Sequence, residues 1–171
     1  MDATTTRGVL YVHSAPRSVC PHIEWALGRA VGGAVRVEWT EQPVQRGTLR
    51  ADVAWEGPEG TAAAVASALL GWERVRFEIT EQGVEGESGS RWMHTPALGI
   101  THQLVDPVGN ALVPEDRIRA VLEEAGNDAL ALRAGLRRVL AEDWDDELEP
   151  FRYAGDTGSV TWLHGAQHDV G

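Results

Sequence analysis

With 171 residues, 43% of them hydrophobic, the chain can bury a sizeable core, and its length predicts one domain, at most with an appendage. A formal net charge of −11 and no basic stripe set nucleic acid aside as a partner, because such a surface repels phosphate. All 15 basic residues are Arg, so Schiff-base, pyridoxal-phosphate and P-loop lysines are excluded.

The single cysteine, Cys20, rules out an internal disulfide and any CxxC redox or zinc motif. No charged start leads into an apolar run, and no apolar stretch reaches about 18 residues. The expectation is a cytoplasmic protein that does not enter a membrane.

In chain order, a polar start leads to Val9, Leu10, Tyr11 and Val12, a short apolar run that suits a central strand ending at His13. Ser14 to Arg17 turn the chain. Ser18 is the expected N-cap of a helix with Pro21 in its first turn; Val19, Ile23, Ala26, Leu27 and Ala30 form its apolar face until Gly32 and Gly33 stop it. From Val35 the period becomes two: Val35, Val37 and Trp39 alternate with Arg36 and Glu38, which predicts a strand over 34–39. After a loop holding Pro43, Leu49, Ala51, Val53 and Trp55 alternate with Arg50, Asp52 and Glu56 in a returning strand. A hairpin pairing Arg36 with Asp52 and Glu38 with Arg50 would match opposite charges on one face and apolar residues on the other.

Gly57, Pro58 and Gly60 break that strand, and Thr61 is the expected cap of an Ala-rich helix through Leu70. Val75, Phe77 and Ile79 against Arg76, Glu78 and Thr80 predict a fourth strand. The order βαββαβ, with right-handed crossovers, points to an α+β, ferredoxin-like sheet with both helices on one face. Gln82 to Ser90 reads as a flexible loop and as the boundary between a first half, 1–81, and a second, 91–171, packed as one domain. The second half is expected to hold strands at Arg91 to His94 and Gly99 to Val105, and a turn at Asp106 to Asn110 into a short strand ending at Val113. Then follows a stripe from Ile118 to Leu140 that stays in phase across Gly126 and Asn127, one long helix or two nearly collinear ones. Beyond Asp143 an acidic, irregular tail is expected, with a last strand at Val160 to Leu163.

The segments RGVLYVHSAP (Arg7 to Pro16), CPHIEWALG (Cys20 to Gly28), WEGPEGTAAAVASALLGWERVRFE (Trp55 to Glu78), RWMHTP (Arg91 to Pro96) and WDDELEPFRYA (Trp144 to Ala154) resemble a family of uncharacterised actinobacterial proteins, a domain of unknown function. The composition, without Lys and rich in Ala, Gly, Val and Arg, fits a GC-rich genome. The resemblance implies an intracellular domain and brings no catalytic residues with it.

Four constellations carry candidate chemistry. His13, Cys20 and His22, with His94 and His102, are zinc-binding types, yet Cys20 and His22 lie two apart on a helix and point about 200° from each other. No metal or other cofactor is expected, and elemental analysis of purified protein tests this. The acids Glu142, Asp143, Asp145, Asp146, Glu147 and Glu149 lack the Gly and ligand spacing of a calcium loop and read as a solvated helix end. Gly57 to Thr61 could present N–H groups to an anion but, without Lys, reads as punctuation. Ser14 and Ser18 near the histidines lack a nucleophile elbow. The most informative surface is the polar sheet face, where Tyr11, His13, Arg36, Glu38, Arg50, Asp52, Arg76 and Glu78 are expected to gather. Candidate ligand-binding residues are therefore Tyr11, His13, His22, Arg36, Arg50, Arg76 and His94. The chain reads as a binding or regulatory module acting through this face or an oligomer interface; the alternative is a small enzyme with a His-based acid/base or metal site. A homodimer is expected, through the Ile118 to Leu140 stripe or an open sheet edge.

Overall fold

The computed structural model describes residues 4–153, as an α+β protein built on one antiparallel sheet. The strands are β1 (Thr5–Pro16), β2 (Thr40–Glu41), β3 (Thr48–Pro58), β4 (Arg76–Glu81), β5 (Gly89–Thr95), β6 (Gly99–Val105) and β7 (Ala111–Leu112). The helices are α1 (Cys20–Val31), α2 (Thr61–Leu69), α3 (Glu115–Ala125), α4 (Ala129–Val139) and α5 (Glu142–Arg152). The strand order is β2-β3-β1-β4-β5-β6-β7, with β1 between β3 and β4.

Alternation along the central strands divides the sheet into two faces. Leu10 and Val12 of β1 and Phe77 and Ile79 of β4 point to one face, where Ile23 and Leu27 of α1 and Val65 and Leu69 of α2 bury completely against them. Each such side chain contributes about 1.5–3 kcal/mol by leaving water. Gly8 lets β1 approach β4: a Cβ there would sit 1.8 Å from the Thr80 carbonyl oxygen.

The 34–39 strand and its hairpin register are not formed. The chain from residue 34 to 39 runs beside the sheet without ladder pairing, and only Thr40 and Glu41 pair, with Arg50 and Leu49. Asp52 instead lies opposite Tyr11. The alternation there has another cause: Val37 is buried, Val35 and Trp39 pack on the core, and the Trp39 indole donates to Glu24 of α1 at 2.8 Å.

Neither expected N-cap supplies its side chain to a helix start. Ser18 lies in a 3₁₀ turn, Arg17–Val19, that leads into α1. At α2 the cap comes from a distant strand: Gly60 N–H and Ala62 N–H donate to the two carboxylate oxygens of Glu81 at 2.6 and 2.8 Å, while the Thr61 hydroxyl donates to the Pro58 carbonyl. The anion at this helix end is thus the protein's own, where the macrodipole favours it.

The second half departs further from the expected arrangement. The stripe from Ile118 to Leu140 folds back on itself: Gly126, at φ 53°, ends α3, and Asp128 caps α4 by accepting from Leu130 and Ala131 N–H. Gly135 lies against Val121, and Arg138 pairs with Glu124 at 3.2 Å, contacts that collinear helices would hold about 20 Å apart. The acidic segment is a helix, not an irregular tail. Glu142, Asp143 and Asp145 occupy the first turn of α5, where carboxylates are favourable, and Arg137 pairs with Glu142, Asp143 and Asp146. Val160 to Leu163 lie outside the described residues.

Candidate functional site

The second sheet face is polar because the residues between the core positions of the central strands are. One row crosses it: Asp52 of β3, Tyr11 of β1, Glu78 of β4, Met93 of β5 and Thr101 of β6 are successive cross-strand partners. α5 covers one end of this face, burying Leu148 against Met93, with the Trp144 indole donating to the Gly99 carbonyl at 3.0 Å. Beside it a cleft of about 350 Å³ remains, walled by the sheet, the 82–87 loop and the turn after β6. Its size falls in the range of small-molecule sites.

Glu78 anchors the cleft floor at 5% exposure. His13 Nε2–H donates to its Oε2 at 2.5 Å, and since a carboxylate only accepts, that nitrogen carries the hydrogen. Arg91 donates to Oε1 through Nε and Nη2, and Arg152 donates to both oxygens, at 2.7 and 2.9 Å. The two guanidinium groups also share Asp145 Oδ1, at 2.9 and 2.7 Å. Burial pushes the Glu78 carboxyl up, but the His13 and Arg152 hydrogen bonds and the Arg91 charge outweigh it and hold the group well below the usual carboxylate range. For Arg152, burial works against the charge, and Glu78 and Asp145 more than restore it, so its pKa is raised.

Tyr11 stands over this floor. Burial first, then the Asp52 and Glu78 charges, push its phenol up to about 12, so it remains a neutral donor at ordinary pH. Its ring lies parallel to that of His13 with centroids 6.3 Å apart.

Of the residues singled out from sequence, Tyr11, His13 and Arg50 line the cleft, together with Asp52 and Glu78. Arg76 shares the face but lies beyond the cleft, its guanidinium 4.4 Å from the Phe151 ring centroid and donating to Ser14 and Gln45. Arg36 and Glu38 do not join the face, because their segment is outside the sheet. His22 stacks on Trp72 at 4.7 Å. His94 stacks on Phe77 and bonds the Val75 carbonyl on the helix-covered side. Cys20 is a buried thiol bonded to the Pro16 carbonyl. The histidines and the thiol therefore do not converge, and among the described residues no group of three or more His, Cys, Asp and Glu is arranged to hold a metal.

Arg91 and Arg152 are not among the sequence candidates, and Asp145 enters there only as part of the acidic run read as a solvated helix end. Arg91 was readable as a strand residue in phase with Glu78, whereas Asp145 and Arg152 required α5 to be recognised as a helix: at a spacing of seven they share one face.

A family model described as "Protein of unknown function (DUF3145)" matches residues 9–165. No match to the chain is found among curated proteins or solved structures.

Proposed function

The chain belongs to the DUF3145 family of proteins of unknown function, and from its geometry we propose that it is a binding module that takes a small polar organic molecule into the cleft on the sheet's polar face. The observation that carries this reading is a cleft with a pre-formed, cross-linked floor: Glu78 is fixed by three partners from β1, β5 and α5. Binding is favoured over acid/base chemistry because both oxygens of Glu78, and the His13 nitrogen facing it, are already engaged. A metabolite screen by thermal shift, followed by chemical-shift mapping, tests the reading. A ligand should raise the melting temperature and perturb Tyr11, Asp52 and Arg91; the reading fails if hits map only elsewhere or none appear.

A second surface supports self-association. Ile118, Leu122, Leu130, Leu136 and Leu140 of the α3–α4 region are exposed, Leu130 at 80%. A symmetric dimer across these helices would bury them. Light scattering at micromolar concentration should give twice the 18.6 kDa chain mass, and Leu130→Glu should return it to one chain. A single-chain mass for the unmodified protein across a dilution series rejects the dimer.

The same reading takes the first half as ferredoxin-like, supported by the order β2-β3-β1-β4 with α1 and α2 on one face. Among the described residues no helix is long and apolar enough to cross a membrane. An actinobacterial setting is supported by the Lys-free composition, and a cytoplasmic one by the low cysteine content, one in 171 residues.

A further inference from the structure

Resting on the ligand-binding reading, the specificity of the cleft follows from which of its polar groups are already engaged. Its cations are occupied. Arg91 is held by Glu78 and Asp145; Arg152 by Glu78, Asp145 and Glu149; and His13 by Glu78. Arg50, on the β3 wall, takes part in an interaction of its own. Two of the acids are also engaged internally, Glu81 at the α2 N-terminus and Asp106 in its own turn with Val108 and Asn110. Asp52 and Glu87 remain, exposed carboxylates for which the described residues supply no hydrogen bond or ion pair.

Beside Asp52 stands Tyr11, its direct cross-strand partner, at a Cβ separation of about 5 Å. Its ring offers the negative face that attracts cations. The Glu81 carboxylate lies on the other face of the sheet, at the α2 N-terminus, so the cleft side holds Asp52, Glu78, Glu87 and Asp106 against Arg50, Arg91 and Arg152, four carboxylates to three guanidinium groups. An anion would meet a net negative lining and would have to compete with Glu78 and Asp145 for the Arg91 and Arg152 guanidinium groups. A cation meets an acceptor and an aromatic face, and Val105 and Pro107 give the far wall of the same cleft an apolar patch. We propose that the cleft binds a small organic cation, an alkyl ammonium or guanidinium, with its charged head between the Asp52 carboxylate and the Tyr11 ring.

The test uses n-butylammonium and n-butylguanidinium as cationic probes, butyrate and n-butyl phosphate as anionic ones, and a diverse fragment set, titrated into the full chain at low salt and followed by amide chemical shifts. The expected result is that the cations shift Tyr11 and Asp52 and that the anions do not. Asp52→Asn should weaken the cations at least tenfold; the site is exposed and its side chain makes no hydrogen bond or ion pair among the described residues, so the variant should fold, which its spectrum verifies. Anions binding at these residues in place of cations, or cation binding unchanged in Asp52→Asn, overturns the ligand class and leaves the cleft as a binding site. If neither the four probes nor any fragment perturbs the cleft, the ligand-binding reading falls together with the inference.

Discussion

Replacing Glu78 by Gln should lower stability by about 3–5 kcal/mol, because it leaves two guanidinium groups at the cleft floor without the carboxylate that compensates them. Side-chain exposure is 9% for Arg152 and 22% for Arg91, so water offers the first little help, and Asp145 must serve both, with only the more exposed Glu149 to assist Arg152. For a chain of this length the melting temperature should fall on the order of 10 °C. Urea denaturation at pH 7 measures the loss; a value under about 1 kcal/mol would mean that the network re-forms around Asp145. The effect also has a pH signature. The Glu78 carboxyl is depressed in the folded chain, so its stabilisation is fully present above the unfolded value of about 4.3 and is lost as pH falls below it toward the folded value. The unmodified protein should weaken steeply below about pH 4.5, and Glu78→Gln should weaken less over that window.

Gly8→Ala should be at least as damaging, for a steric reason. The added Cβ would lie 1.8 Å from the Thr80 carbonyl oxygen and 2.7 Å from the Trp55 ring, and the first neighbour is backbone in a central strand that cannot step aside. β1 and β4 would have to part where Leu10 and Ile79 pair, costing more than about 4 kcal/mol and leaving little folded protein. Gly33→Ala is the control, since nothing lies within 4 Å of its added carbon, and it should change stability by less than about 1 kcal/mol. Equal melting temperatures for the two variants would contradict this account of β1.

The central half of the fold was legible where burial and pairing coincide. Leu10 with Val12, Leu49 with Trp55, and Phe77 with Ile79 alternate because they sit in paired strands whose one face meets helices. Residues 34–39 alternate equally well, yet their period records packing against α1 and the core rather than a ladder, and sequence alone does not separate the two. The stripe from Ile118 to Leu140 stayed in phase through a reversal because periodicity carries no direction; the reversal lies in the Gly126 backbone and the Asp128 cap. Within the cleft, Tyr11, His13, Arg50, Asp52 and Glu78 could be anticipated from strand phase. The Arg152 and Asp145 contribution could not, because it depends on where α5 packs.

Glu78 also joins parts of the chain that are made at very different times. Its partner His13 lies 65 residues before it, and Arg152 lies 74 after it. A ribosome adding about 5–20 residues per second therefore releases β1 seconds before its last partner exists. Until α5 emerges, Glu78 and Arg91 face water from a half-built sheet, and Met93 has no Leu148 to cover it. The cleft is thus completed only once α5 has been made. A chain stopped before Pro150 would present the sheet with its polar face uncapped, a species for chaperones and proteases rather than for ligand.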